Sequence, residues 1–176
     1  RLDKILYTKN GERRENDFIS GECDIYEPDS SLIIDIKSSW DLESLLSKVN
    51  QPVDFYYWHQ VQGYLELWGC EHGEVCYCLV NTPPELINDE KYRLFKKLNP
   101  VTEENEEYKA AARQKELDMT FDDMPTEHRI VRFKVEKDPE LMQKVYNMVE
   151  MCRKWLADFE NFHISPTQSV TSLQNV

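Results

Sequence analysis

The stretch from Glu22 to Ser39, ECDIYEPDSSLIIDIKSS, constrains the fold more than any other part of the chain. Two runs rich in β-branched and aromatic residues flank Pro28 and Asp29, the residue types that open tight turns. The pattern predicts a β-hairpin. Centred on Asp29 and Ser30, it places Asp24 opposite Asp35 and Glu22 opposite Lys37. A strand has period two, so Asp35 and Lys37 share one face and Leu32, Ile34 and Ile36 take the other. Like charges directly opposed across a strand pair, about 5 Å apart, are destabilising. Two facing aspartates therefore call for a divalent cation, and hard carboxylate oxygens suit Mg²⁺ or Mn²⁺. Lys37 points into the same space, where it could position or deprotonate a water or stabilise a developing negative charge. The structural alternative leaves both acids near strand ends in water, with Lys37 as a plain ion-pair partner.

Around this hairpin the chain alternates strand and helix patterns. DFIS, ECDIYE, LIIDIKS, EVCYCLV and RIVRFKV read as strands. Val53 to Gly69 reads as a helix whose apolar sector holds Tyr57, Val61, Tyr64, Leu65 and Trp68. His59, Gln62 and Glu66 fall opposite, and Gly69 suits the C-terminal cap. PELINDEKYRLFKKL and TEENEEYKAAARQKEL are further helices, the second a polar surface excursion. Asp138 and Pro139 open a last helix with a stripe of Leu141, Val145, Met148, Cys152, Trp155 and Phe159, read as core. This order predicts an α/β (α+β) domain with a central mixed β-sheet flanked by helices. The expected organisation is one domain over residues 1–162 and a flexible C-terminal tail over 163–176. The chain opens on Arg1 rather than Met, so an N-terminal part is expected to be missing.

The net charge of −12 rules out binding to nucleic acid through bulk electrostatics. Contact with DNA would need local basic patches or metal ions. KYRLFKK (Lys91 to Lys97) and HRIVRFK (His128 to Lys134) mix basic and aromatic residues and are candidate phosphate-tracking segments, though solvated element faces explain each equally simply. No apolar run approaches membrane-spanning length. The five cysteines are Cys23, Cys70, Cys76, Cys78 and Cys152, an odd count without a CxxC pair, which points to a reducing cytoplasm. Cys76 and Cys78 share one strand face and read as small buried hydrophobes rather than a cluster site.

An acid on one strand, a hairpin, then acid-x-Lys on the next resembles the PD-(D/E)xK nuclease pattern. Here it is Asp24, then Asp35-Ile36-Lys37. The proline that often precedes the first acid is replaced by Gly21-Glu22-Cys23. Gln60 and Tyr64 match the Gln-x-x-x-Tyr that RecB-like and phage lambda-type exonucleases carry on the following helix. The matched region runs from about Glu15 to Leu86, under half of the chain. The resemblance implies a restriction-endonuclease-like core and metal-dependent phosphodiester hydrolysis. Asp24, Asp35 and the Ile36 carbonyl would bind the metal, with Glu22 an auxiliary candidate. Lys37 would act on the attacking water. Gln60 and Tyr64 would order the site or touch the DNA backbone, with Ser38 a further DNA contact. A further acid from an upstream helix has no clear counterpart, since Glu12 and Glu15 lie in an apparent loop.

The resemblance further implies an exonuclease that digests duplex DNA from its ends, in phage-type recombination or DNA processing. Its partners would be DNA and a single-strand-annealing recombination protein, with homo-oligomer rings as a family habit. The rivals are a structure-specific or restriction-type endonuclease, a CRISPR-adaptation-type nuclease with an iron–sulfur cluster, and a non-catalytic DNA-binding or assembly protein on the same fold.

Overall fold

The computed structural model describes residues 6–100 and 102–163. The chain divides into two compact units, residues 1–137 and 138–176. The first is built on a four-stranded mixed sheet in the order β3-β4-β5-β6, with β3 Ile25–Glu27, β4 Leu32–Ser39, β5 His72–Leu79 and β6 Ile130–Glu136. Strands β3 and β4 run antiparallel, β4 and β5 parallel, and β5 and β6 antiparallel. A separate two-stranded ribbon pairs β1 (Arg14–Glu15) with β2 (Ser20–Gly21).

The β3–β4 hairpin has the predicted register. Ile25 pairs with Ile34, Tyr26 with Ile33 and Glu27 with Leu32. Its four-residue loop closes with the Ser31 N–H donating to the Pro28 carbonyl at 3.3 Å, and Ser31 takes a left-handed φ of 49°. Two strand expectations contract. ECDIYE is strand only from Ile25, and of DFIS only Ser20 pairs. Asn16 explains the second loss: its side-chain oxygen accepts from the N–H groups of Phe18 and Ile19, a local turn that competes with strand pairing.

Parallel strands β4 and β5 need a crossover, which α1 (Leu42–Leu46) and α2 (Phe55–Trp68) supply. Asp54 caps α2 by accepting from the Tyr56 and Tyr57 N–H groups. Gly69 ends it in the left-handed region, φ 67°, where glycine carries no Cβ penalty. Val61, Leu65 and Trp68 are buried against Ile33, Val75, Tyr77 and Val135 of the sheet, forming the main core. Gly73 permits this closeness, since a Cβ there would stand 2.8 Å from Val61 Cγ1. Gln62, expected on the polar face, is instead fully buried and donates from Nε2 to the Glu136 carbonyl at 2.7 Å. The end of β6 lies over that face of α2, and burying an amide is tolerated when it finds such a partner.

The opposite sheet face carries a smaller cluster of Ile25, Ile34 and Cys76, with Cys78 packed against it. The hydrogen bond with the neighbouring Cys78, and then burial, push the Cys76 thiol far up, as expected of a structural cysteine. Cys23 and Cys70 belong to the main core on the other face. No group of three or more His, Cys, Asp or Glu side chains that could hold a metal ion occurs among the described residues.

Helices α3 (Pro84–Leu98) and α4 (Glu106–Leu117) follow β5 and contact one another. Part of the basic character of the segments at α3 and β6 is matched internally: Lys91 pairs with Glu116 at 2.6 Å, and the Arg132 Nε donates to Glu74 at 2.7 Å. The second unit contains α5 (Pro139–His163), whose start is capped as expected, with the Leu141 N–H donating to Asp138 at 3.0 Å. The stripe read as core is corrected: Met148, Trp155 and Phe159 are exposed, Trp155 at 62%. Among the described residues of its unit, α5 has no second element to bury such a stripe. Of the expected tail, residues 164–176 lie outside the described residues. No described helix is long and apolar enough to cross a membrane.

Candidate active site

Strand β4 enters the core as Ile33-Ile34 and leaves it as Lys37-Ser38, so Asp35 sits where burial ends. Asp35 is 2% exposed. Its Oδ2 lies 2.8 Å from the Lys37 ammonium, an ion pair largely shielded from solvent. Burial raises the Asp35 carboxyl above its usual range, Lys37 pulls it back down, and the charge of Asp24 pushes it further up.

Asp24 lies just beyond the last β3–β4 pair, in the position that the register places opposite Asp35. Its Oδ2 accepts from the Ile36 N–H at 2.7 Å, filling the rung that the short strand leaves open. The N–H and C=O of one strand residue point to the same side. The Ile36 carbonyl therefore faces the edge where Asp24 sits.

Lys37 reaches across to α2. Its Nζ donates to Gln60 Oε1 at 2.9 Å, and Gln60 Nε2 donates to the Tyr64 hydroxyl at 2.7 Å. The spacing of four on a helix makes the last contact, since residues i and i+4 share a face. The Lys37 ammonium also lies 4.3 Å from the Tyr57 ring centroid, a cation–π contact. Asp35, Lys37, Gln60 and Tyr64 thus form one continuous polar chain from the strand to the helix.

Tyr64 is held by aromatic packing as well as by this bond. Its ring meets Trp68 edge-on at 6.2 Å, and burial raises its phenol above the ordinary range. A Cβ on Gly21 would come within 2.7 Å of Tyr64 Cε1, so the glycine that stands before Glu22 and Cys23 makes room for this ring.

Two expected residues stand apart. Glu22 is exposed, and the Lys37 ammonium turns to Asp35 and Gln60 rather than to it. Ser38 is exposed and, by strand alternation, lies on the face opposite Lys37. His59 is half-buried, its ring 4.1 Å from that of Phe55 and its Nδ1 2.7 Å from the Phe55 carbonyl. Tyr57 was not among the expected site residues.

The donor set fits a hard divalent cation. Two carboxylates, Asp35 buried on β4 and Asp24 just ahead of β3, flank a backbone carbonyl directed at the same edge. Oxygen ligands of this kind suit Mg²⁺ or Mn²⁺, which retain waters for their remaining positions. Asp24, Asp35 and the Ile36 carbonyl are the groups that would hold it.

No protein-family model matches the chain, and no curated protein matches it significantly. Among solved structures the chain is similar to a phage-related exonuclease from Haemophilus somnus 129PT, with 28% identity and a TM-score of 0.61. The similarity covers 91% of this chain and 65% of that one, so the chain spans under two thirds of the exonuclease's length. The mixed sheet flanked by helices is the architecture common to both.

Proposed function

We propose that the protein is a divalent-metal-dependent DNA nuclease that acts from duplex ends. One observation carries the reading: the strand motif and the helix motif, 23 residues apart between Lys37 and Gln60, meet in one hydrogen-bonded chain. Salt bridges on a sheet surface are common, but an ammonium held between a buried carboxylate, an amide oxygen and an aromatic face is a prepared cation. The fold likeness to a phage-related exonuclease supports the same reading.

A cation held by Asp24, Asp35 and the Ile36 carbonyl would supply Lewis-acid chemistry at the scissile phosphate. The chain's own groups divide the remaining work. Asp24 and Asp35 bring negative charge to one edge of the sheet, which gives that edge its affinity for a cation. Lys37 presents positive charge beside it, where the phosphate gains charge during in-line displacement. Gln60 fixes the direction of the ammonium by accepting from it. Tyr64 fixes Gln60 in turn, by accepting from its amide. No step requires Glu22 or Ser38. An annealing protein as partner and a ring-shaped oligomer extend this proposal and rest on the resemblance alone.

The test is incubation of the protein with end-labelled linear duplex and closed circular duplex, each with Mg²⁺, Mn²⁺ or EDTA. The expected result is loss of label from linear DNA with either metal, none in EDTA, and intact circles. Cleaved circles would replace the exonuclease by an endonuclease on the same site. Full activity in EDTA from a metal-free preparation would overturn the mechanism.

A further inference from the structure

On the first unit, beyond the C-terminal end of β4, lies an open groove of about 1160 Å³ between α1, the start of α3, and the end of α4 with its following loop. Its apolar surface comes from Trp40, Leu42, Leu86, Leu117 and Phe121. Trp40 is 65% exposed and Leu117 56%, although Phe121 below them is buried. Seven carboxylates line the groove against two cations, Arg93 and Lys115. Both cations are already paired with Glu90. Glu43, Asp89 and Asp123 are exposed, and their side-chain carboxylates have no ion-pair or hydrogen-bond partner among the described residues.

Aromatic and leucine surface in a concave site favours a ligand that brings apolar anchors. The surplus of unpaired carboxylates favours one that brings positive charge. The same surplus repels a phosphate backbone, so the groove is unsuited to DNA. We propose that it docks a basic, amphipathic segment of a partner protein, with apolar side chains seated between Trp40 and Leu117 and Lys or Arg side chains over Glu43, Asp89 and Asp123. The inference does not depend on the nuclease reading. It does place the partner close to the chemistry, because Trp40 follows Lys37 by three residues along the chain.

The test uses a fluorescein-labelled synthetic helix with leucines at i, i+3 and i+7 and lysines on the flanking positions, titrated with the full chain and read by anisotropy. A peptide with glutamates replacing the lysines serves as control. The expected result is saturable binding of the basic peptide alone, weakening as salt is raised. Asp89→Lys with Asp123→Lys, and separately Leu117→Glu, should each weaken it at least about tenfold, the size of a lost interfacial anchor or charge pair. Glu103→Lys with Glu107→Lys makes the same net charge change outside the groove's lining and should leave binding unchanged. Equal weakening by that pair would overturn the proposal in favour of bulk charge. Displacement of the peptide by duplex DNA would overturn it in favour of a nucleic-acid surface. Self-association in sedimentation, lost in Leu117→Glu, would overturn it in favour of a contact between copies of the chain.

Discussion

The side-chain oxygen of Gln60 accepts a hydrogen bond from the Lys37 ammonium at 2.9 Å, joining helix α2 to the strand that carries the buried acid. The bond orients a charge that would otherwise sweep freely on a four-carbon stem. Lys37→Ala should lower single-turnover cleavage on the order of 100-fold, the scale of losing one preorganised electrostatic contact. Gln60→Leu removes only the orientation and should cost roughly five- to tenfold, near 1 kcal/mol. DNA affinity, measured in Ca²⁺ to block turnover, should change little in either. A collapse of affinity with cleavage intact at saturating protein would make Lys37 a phosphate anchor.

The Tyr57 ring lies 4.3 Å from the same ammonium. Cation–π contacts contribute about 0.5–2 kcal/mol. Tyr57→Leu should therefore slow cleavage by roughly two- to thirtyfold, whereas Tyr57→Phe, which keeps the ring, should not. NMR of the Lys37 side chain separates positioning from general damage. The upfield ring-current shift of its ε-protons should vanish in Tyr57→Leu and persist in Tyr57→Phe.

In metal-free protein Asp35 is an electrostatic burden. Burial holds its carboxyl above the ordinary value of 3.8. A carboxyl raised in the folded state binds protons more tightly there than in the unfolded chain. Its favourable contribution is complete below the unfolded value and is lost as pH rises through the raised folded value. In EDTA, Asp35→Asn should thus melt at or above the parent near pH 7, and the gap should close toward about pH 4. Added Mg²⁺ should raise the parent's melting temperature and barely move the variant. A variant that melts clearly below the parent in EDTA, with a parent indifferent to Mg²⁺, would sink the metal site.

Gly73→Ala tests the packing that brings α2 to the sheet. The added methyl would stand 2.8 Å from Val61 Cγ1 and 3.3 Å from Leu65 Cδ2, both fully buried. Overpacking of this kind costs about 1–3 kcal/mol. Urea denaturation should show an earlier midpoint with an unchanged slope.

The sequence made the local geometry legible. Turn chemistry at Pro28 to Ser31 set the hairpin register, and Asp54 and Gly69 bracket α2 within two residues of the expected bounds. Proline at the first position set the starts of α3 and α5 in the same way. Long-range burial was not legible. A helical wheel put Gln62 in solvent, because nothing in the sequence says that the end of β6 will cover that side of α2. The stripe on α5 looked like core because periodicity reports amphipathicity and not the presence of something to pack against. At the site, the joining of Lys37 to Gln60 could be expected only from the resemblance. Tyr57 and Gly21 escaped notice because an aromatic near a lysine and a missing Cβ act through space, without a spacing rule to announce them.

The bond from the Ile36 N–H to Asp24 has a consequence for how the chain reaches its native state. The carboxylate occupies a rung that belongs to the hairpin ladder, so it can be reached only when Ile25 faces Ile34. A hairpin that zips one residue out of step turns Asp35 and Lys37 to the wrong face of the sheet and leaves the Ile36 amide without its acid. Such a misfolded chain would retain most of its strands and none of its chemistry. Recovery of activity after dilution from denaturant is then a proofreading signal, sensitive to the one pairing that bulk spectroscopy of strand content cannot distinguish from its neighbours.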